Sequence, residues 1–407
     1  MPHSNTFRKR CFQIISALLL TSLLAMPAFA QATLSRLVVV GDSLSAGYQN
    51  DSLLWYQQYH GYTKLIADQA RTPLRLPLIA YPGIPNVLQL VSLNPLVIQP
   101  APGQSFGRLN PLVQATDLAV PGAKVADALN TRPTFKFDNL TDFVLGLPGL
   151  FTFTKKSQVE WAEALHPTTV IMWLGSNDVL GSAAAGTDLL VTPLTDFEAS
   201  YAEVMSRLAA THAKLIVANL PDATAAAYFI PAPILCAQAN VPCSALGWAA
   251  GDYVVLPAAQ ALLAGTLHPP LPNEDVLTAQ EAANLRAFTD NLNAFIASQA
   301  QAYGATLVDI HSFFNAIRIN GYTVNGRTLT TLYLGGLFSL DGIHPTNTGY
   351  ALLANQFITT MNASLGTHIP SVNVTAVAEH DPLVIPSLGT DALRSIGPRK
   401  MLEILKH

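Results

Sequence analysis

Ser43 stands in Gly41-Asp42-Ser43, where the apolar run "LVVV" at 37–40 stops. A hydroxyl at such a place is a nucleophile if a base of near-neutral pKa takes its proton. That base needs an acceptor on its other ring nitrogen to fix its tautomer. Asp341 and His344, three apart in "SLDGIHPTNTGY", can supply both from one turn. Asn177, in "WLGSND" at 173–178, can aim an amide at a developing oxyanion, and Gly122, in "DLAVPGAKVAD" at 117–127, can offer a free backbone N–H. Each residue also has an ordinary reading. Asp42 or Ser43 caps a helix, Asp341 caps another with His344 on the surface, Asn177 and Gly122 are turn residues, and Asp178 is a helix cap.

A second serine competes. "GQSFG" at 103–107 matches Gly-x-Ser-x-Gly, but that elbow needs a strand before it and a helix after it. Here "QPAPG" precedes and "RLNP" follows, so prolines spoil both sides of Ser105. The histidines at 60, 166, 212, 268, 311, 368 and 380 show no ligand spacing with cysteine or acids. No metal site and no cofactor are therefore expected.

The candidate residues need strands to carry them. "RLVVV" 36–40, "TTVIMWL" 168–174, "AKLIVANL" 213–220 and "ATLVDI" 305–310 read as buried parallel strands. Helix-like stretches separate them, among them 196–212 and 278–304. That alternation predicts an open α/β sheet, whose ligands lie beyond the carboxyl ends of the strands. Residues 72–116, 130–158 and 222–277 lack this rhythm and read as apolar insertions over the active edge. Tyr48, Trp55, Tyr56 and Tyr59 follow the Ser43 turn closely, and their expected role is packing or lining an acyl or sugar pocket.

The N-terminus reads as an export leader. Arg8-Lys9-Arg10, the apolar "CFQIISALLLTSLL" and "AMPAFA" form the three regions of a signal peptide cut after Ala30. Cys11 precedes the apolar run and so cannot become a lipidated mature N-terminus. Loss of the leader's three basic residues takes the formal charge from −4 to −7. No basic cluster offsets that balance, which excludes nucleic acid as the expected partner. Cys236 and Cys243 remain, and an even pair in an exported protein predicts one disulfide. Charged residues make up only 12% of the chain and mean hydropathy is +0.31, leaving apolar surface for a greasy ligand. No later run is long enough for a membrane span, and a secreted monomer is expected, in the periplasm or the medium.

Taken together, "GDSLSAG", "AVPGA", "GSND" and "DGIHPT" resemble, in order, the four blocks of the GDSL, or SGNH, hydrolases. "ANLPDAT" at 218–224 also looks like a strand-end segment of lipase-like members. The resemblance implies a flavodoxin-like α/β/α sandwich over residues 31–365, with 366–407 as a C-terminal extension. It implies Ser43 as nucleophile, His344 as base and Asp341 as its partner. It implies an oxyanion hole from the Ser43 and Gly122 amides and the Asn177 side chain. Asp117 departs from it, since that block more often carries Asn, and the long gap from Ser43 to Gly122 implies an insertion.

The expected function is hydrolysis of a carboxylic ester, an acyl lipid or fatty ester, through an acyl-enzyme. Two alternatives stand beside it: removal of O-acetyl groups from a carbohydrate, and binding without catalysis on the same scaffold. A nucleotide-binding reading lacks the phosphate-cradling glycine loop.

Overall fold

The computed structural model describes residues 34–93, 96–148 and 155–384. The leader at 1–30 and residues 385–407 of the extension lie outside the described residues.

Four short runs of aliphatic and β-branched residues pair as one parallel sheet: β1 (Leu37–Gly41), β2 (Thr169–Trp173), β3 (Lys214–Ala218) and β4 (Thr306–Val308), adjacent in that order. Leu37 lies opposite Thr169 and Gly41 opposite Trp173, so β1 and β2 end level with each other. Every residue of these two strands is buried. A strand covered on both faces has no polar side, which is why each reads as a continuous apolar run. Full burial of each such valine or leucine contributes about 1.5–3 kcal/mol.

A fifth segment completes the order. Residues 116–120 run parallel to β1 on its other edge: Val39 N donates to Thr116 O (2.9 Å), Leu118 N to Val39 O (2.9 Å) and Val120 N to Gly41 O (3.1 Å). The spatial order is then second, first, third, fourth and fifth in the chain, which is the flavodoxin-like arrangement.

The helices lie in two groups that pack within themselves. Tyr62–Gln69, Ile310–Asn320 and Asn347–Leu365 form one; Val125–Asn130, Gln158–Ala164, Leu194–Ala209 and Ala279–Ala302 form the other. Both groups touch the sheet, giving three layers.

All three insertions have structure of their own, with the helix Leu140–Leu145 in 130–158. Within 72–116, Leu88–Leu93 and Leu96–Pro100 pair as an antiparallel hairpin. Within 222–277, Phe229–Pro231, Tyr253–Val255 and Val276–Leu277 make a three-stranded antiparallel sheet beside helices Ala232–Ala239 and Leu256–Ala264. The expected Cys236–Cys243 disulfide closes the end of the first of these helices, with Cα atoms 5.3 Å apart.

Residues 366–384 fold back along helix Asn347–Leu365. Asn362 accepts from Ile369 N and donates to Ile369 O, and Asn355 does the same with Val372. Asp381 Oδ2 accepts from both the backbone N and Oγ1 of Thr348 at 2.8 Å, at the helix N-terminus where negative charge is favoured.

Candidate active site

Gly41 closes β1 because nothing larger fits: a Cβ there would lie 2.4 Å from Ser45 Oγ. Asp42 then caps a helix, its Oδ1 accepting from Leu44 N at 3.0 Å, and Ser43 is the first helical residue. The cap and the nucleophile readings are therefore compatible. The helix is a single turn, Ser43–Ala46, ended by Gly47 at φ 73°, where backbone of Gln58 and Gly61 crowds in. Neither the Ser43 nor the Gly122 backbone N–H has a protein acceptor among the described residues.

Gly122 follows the 116–120 segment at φ 82°, and a Cβ there would meet nothing within 4 Å. The glycine serves backbone conformation, not space. Asn177 opens helix Asn177–Ala184 just beyond β2. Its Nδ2 donates to Ala123 O at 3.0 Å, while its second contact, to Asp42 Oδ2, is long at 3.5 Å. Asp178 is not a helix cap. Its Oδ2 accepts from Val125 N at 3.1 Å, so both acid and amide of "GSND" grip the segment that carries Gly122. Sequence reasoning missed this role, since nothing in the spacing of 123–125 and 177–178 signals the pairing.

Asp341 and His344 meet in the loop before helix Asn347–Leu365. His344 Nδ1 lies 3.1 Å from Asp341 Oδ2. Asp341 Oδ1 accepts from the backbone N of Ile343 and of His344, each at 2.8 Å. Its Oδ2 also accepts from Ser339 Oγ (3.0 Å) and Asp51 N (2.8 Å). Asn50 ties the two loops further, donating from its N to Ser339 Oγ (3.0 Å) and accepting from Leu340 N (2.9 Å). The Tyr48 ring packs against the imidazole, centroids 4.6 Å apart. An imidazole held through Nδ1 leaves Nε2 as its basic nitrogen.

Ser43, Asn177 and His344 line one cleft, Ser43 from β1 and Asn177 from β2. A serine, an oriented imidazole and amide donors in one cleft have the composition of a nucleophilic acyl-transfer site. The model of the family described as GDSL-like lipase/acylhydrolase matches residues 37–357, from the first residue of β1 to the last helix of the sandwich.

The chain belongs to the GDSL-like lipase/acylhydrolase family. No curated protein matches it. Solved structures similar to it include LAE5, an α/β hydrolase from the metagenome of Lake Arreo, Spain (17% identity, 81% of this chain and 95% of that one, TM-score 0.39). A variant of Axe2, an acetyl-xylooligosaccharide esterase from Geobacillus stearmophilus, is 13% identical over 80% of this chain and 94% of its own, with TM-score 0.38. The psychrotrophic esterase EstA from Pseudoalteromonas sp. is 13% identical over 82% and 100%, with TM-score 0.34.

In this GDSL-like chain the cleft opens to solvent. Its walls are apolar: Leu44, Val179, Leu180, Leu220, Phe314, Phe338 and Ile343. Among the described residues of the insertions, only the start of 222–277 lines it, through Asp222, Ala223, Ala225 and Ala226. Residues of 130–158 instead line a separate hollow at Gly122, with Thr131, Thr141, Leu145 and Gln158. Residues 72–116 line neither, but they pack on the loop that meets Asp341: Leu88 N donates to Asn50 O at 2.9 Å and Leu53 N to Ile84 O at 3.1 Å. Trp55, Tyr56 and Tyr59 are likewise outside the cleft, on the exposed surface. Ser105 Oγ donates to Ala80 O and accepts from Gly107 N in an irregular loop.

The buried carboxylates divide by environment. Burial alone would raise Asp341, but His344 and the donors around it outweigh that and hold it at about 2. Asp42 is pushed up to about 7 by burial, which the Leu44 N–H only partly offsets. Asp117 also rises to about 7 by burial. Thr63 Oγ1 lies 3.0 Å from both Ser45 O and Asp117 Oδ2. One hydroxyl hydrogen cannot serve both acceptors, so a protonated Asp117 donating to Thr63 satisfies the set.

Proposed function

We propose that this protein is a serine ester hydrolase that cleaves acyl-lipid or fatty esters through an acyl-enzyme. The observation that carries the reading is the apolar cleft holding Ser43 and His344, with His344 held by Asp341. His344 Nε2 takes the Ser43 proton as Oγ bonds to the ester carbonyl carbon. The carbonyl oxygen becomes an oxyanion, for which the N–H groups of Ser43 and Gly122, neither with a protein acceptor among the described residues, are the proposed backbone donors. Asn177, whose second amide hydrogen makes only the long contact to Asp42, is the third donor. The tetrahedral adduct collapses, the C–O bond to the alcohol breaks, and the imidazolium returns its proton to the alcohol. Water deprotonated by His344 then attacks the acyl-enzyme, the bond from Ser43 Oγ to the acyl carbon breaks, and the imidazolium returns its proton to Oγ as the acid leaves.

Ionised Asp341 stabilises the imidazolium that each step creates, and its low pKa keeps it ionised throughout the working range. The aliphatic and aromatic walls suit an acyl chain. Acetyl-carbohydrate esters would be better served by a shallow aromatic pocket, and Trp55 is outside the cleft. We further propose that the protein works outside the cytoplasm after cleavage behind Ala30.

Labelling by a fluorophosphonate probe tests the chemistry. One adduct on Ser43, lost in Ser43→Ala and strongly slowed in His344→Ala, is expected. No adduct on the folded protein supports the non-catalytic binding reading, and an adduct on Ser105 relocates the nucleophile.

A further inference from the structure

We propose that Tyr48 and Asp51 are a positioning pair that holds the His344 imidazole in register with both Ser43 and Asp341. Tyr48 reaches toward nucleophile, base and acid alike. Its backbone N donates to Ser43 O at 3.1 Å. Its ring packs against the imidazole, centroids 4.6 Å apart and planes at 55°. Its hydroxyl donates to Asp51 Oδ1 at 3.2 Å, and Asp51 N donates to Asp341 Oδ2 at 2.8 Å. Tyr48 O in turn accepts from the Tyr350 hydroxyl at 2.8 Å. Tyr48 is 6% exposed and is not among the residues lining the Ser43 cleft. It therefore bears on the base and not on the substrate.

The frame beside Tyr48 is a tight turn. Gln49 N donates to Ser52 O (3.1 Å) and Ser52 N to Gln49 O (3.0 Å), which leaves Asn50 and Asp51 as a two-residue loop. Both have left-handed backbone, with φ of 51° and 57°. Positive φ at both central positions is the type I′ pattern, which asparagine suits at the first and glycine at the second. Gln49 Nε2 also donates to Asn347 Oδ1 at 3.0 Å, joining the turn to the helix that follows His344.

An acid at position 51 is thus a costly choice. Glycine would relieve the backbone, and burial together with Asp341 pushes the Asp51 carboxyl pKa up. Among the described residues, that carboxylate accepts only from the Tyr48 hydroxyl. Strain kept where a cheaper residue fits marks a task. The task follows from how the imidazole is held. One hydrogen bond, from Nδ1 to Asp341, fixes one ring nitrogen but lets the ring rock about it. The packed Tyr48 ring removes that motion and keeps Nε2 in place, and Asp51 keeps the Tyr48 ring in place. This role rests on the serine-hydrolase reading, so a readout free of turnover accompanies the kinetics.

The test is steady-state hydrolysis of a soluble p-nitrophenyl ester by Tyr48→Leu, Tyr48→Phe, Asp51→Gly and Tyr48→Phe/Asp51→Gly, beside thermal melts. Tyr48→Leu should lower kcat about 10²-fold, the cost of a small misplacement, with KM nearly unchanged. Tyr48→Phe keeps the ring and should recover most of that loss. Asp51→Gly keeps the turn and the N–H to Asp341. It and Tyr48→Phe should each lower kcat several-fold, and the double variant no further, because all three remove one hydrogen bond. With Ser43→Ala as background, the downfield NMR signal of the proton between His344 Nδ1 and Asp341 should persist in Tyr48→Phe and be lost in Tyr48→Leu. Should Tyr48→Leu unfold, the cycle of Tyr48→Phe and Asp51→Gly decides alone. Unchanged kcat and signal in Tyr48→Leu, a rise in KM in place of the fall in kcat, or additive losses in the double variant overturn the proposal. No ester hydrolysis by the wild type, with the signal still lost in Tyr48→Leu, would sink the enzymatic reading and leave the positioning pair standing.

Discussion

Asn177 is pulled in two directions: one amide hydrogen holds Ala123 O, and the other makes only the long contact to Asp42. Asn177→Ala should lower kcat by about 10²–10³, the usual cost of one oxyanion donor. Because Asp178 still grips Val125, its melting temperature should fall little. Asp341→Asn should cost more, about 10⁴ in kcat, by presenting the wrong tautomer to Ser43. Steady-state kinetics on a soluble ester beside thermal melts separates both predictions from unfolding. That Ser43, Asn177 and His344 would share one cleft, with Asp341 on His344, was legible because chemistry restricts their types. Asn50 and Asp178 were not, since one hydrogen bond to a backbone group leaves no mark in spacing. The pH signs differ among the acids. Asp341, depressed to about 2, contributes stability fully present above its unfolded value of 3.8 and lost as pH falls toward 2. Asp42 and Asp117, raised to about 7, favour the fold when neutral, and that contribution is lost as pH rises from 3.8 through 7.

Asp117 belongs to an element the sequence did not reveal. The four strands were visible because burial on both faces leaves their central positions apolar, with polar residues such as Lys214 only at their starts. The edge segment 116–120 carries Thr116, Asp117 and then Pro121, so no pattern announced it, yet three hydrogen bonds lay it beside β1 and deliver Gly122. Asp117→Asn keeps a donor toward Thr63 and removes a buried acid. It should raise the melting temperature at pH 8 and leave it nearly unchanged at pH 4. Equal effects at both pH values would refute a protonated Asp117. The disulfide is a second device at this scale. Closing so short a loop between Cys236 and Cys243 contributes roughly 2 kcal/mol by chain entropy. Reduction should lower the melting temperature, and calorimetry with and without reductant measures it.

Across the molecule, the sheet brings Ser43 and Asn177 to one edge, while the loop before helix Asn347–Leu365 brings His344 into the same cleft, 301 residues after Ser43. The extension as far as residue 384 is strapped to that helix by Asn355, Asn362 and Asp381. Asp381→Ala leaves two Thr348 donors unpaired and should cost about 1–3 kcal/mol, read by chemical denaturation. Placement of the insertions was the least legible feature, because low charge alone does not distinguish an apolar cleft wall from an apolar outer face. Residues 222–226 became the first and residues 106–112 the second. The most direct measurement is hydrolysis of p-nitrophenyl esters from acetyl to palmitoyl by the wild-type protein beside Ser43→Ala. Preference for medium or long chains, with Ser43→Ala inactive, is the expected result. Cleavage of acetyl esters alone, or full activity in Ser43→Ala, would contradict it.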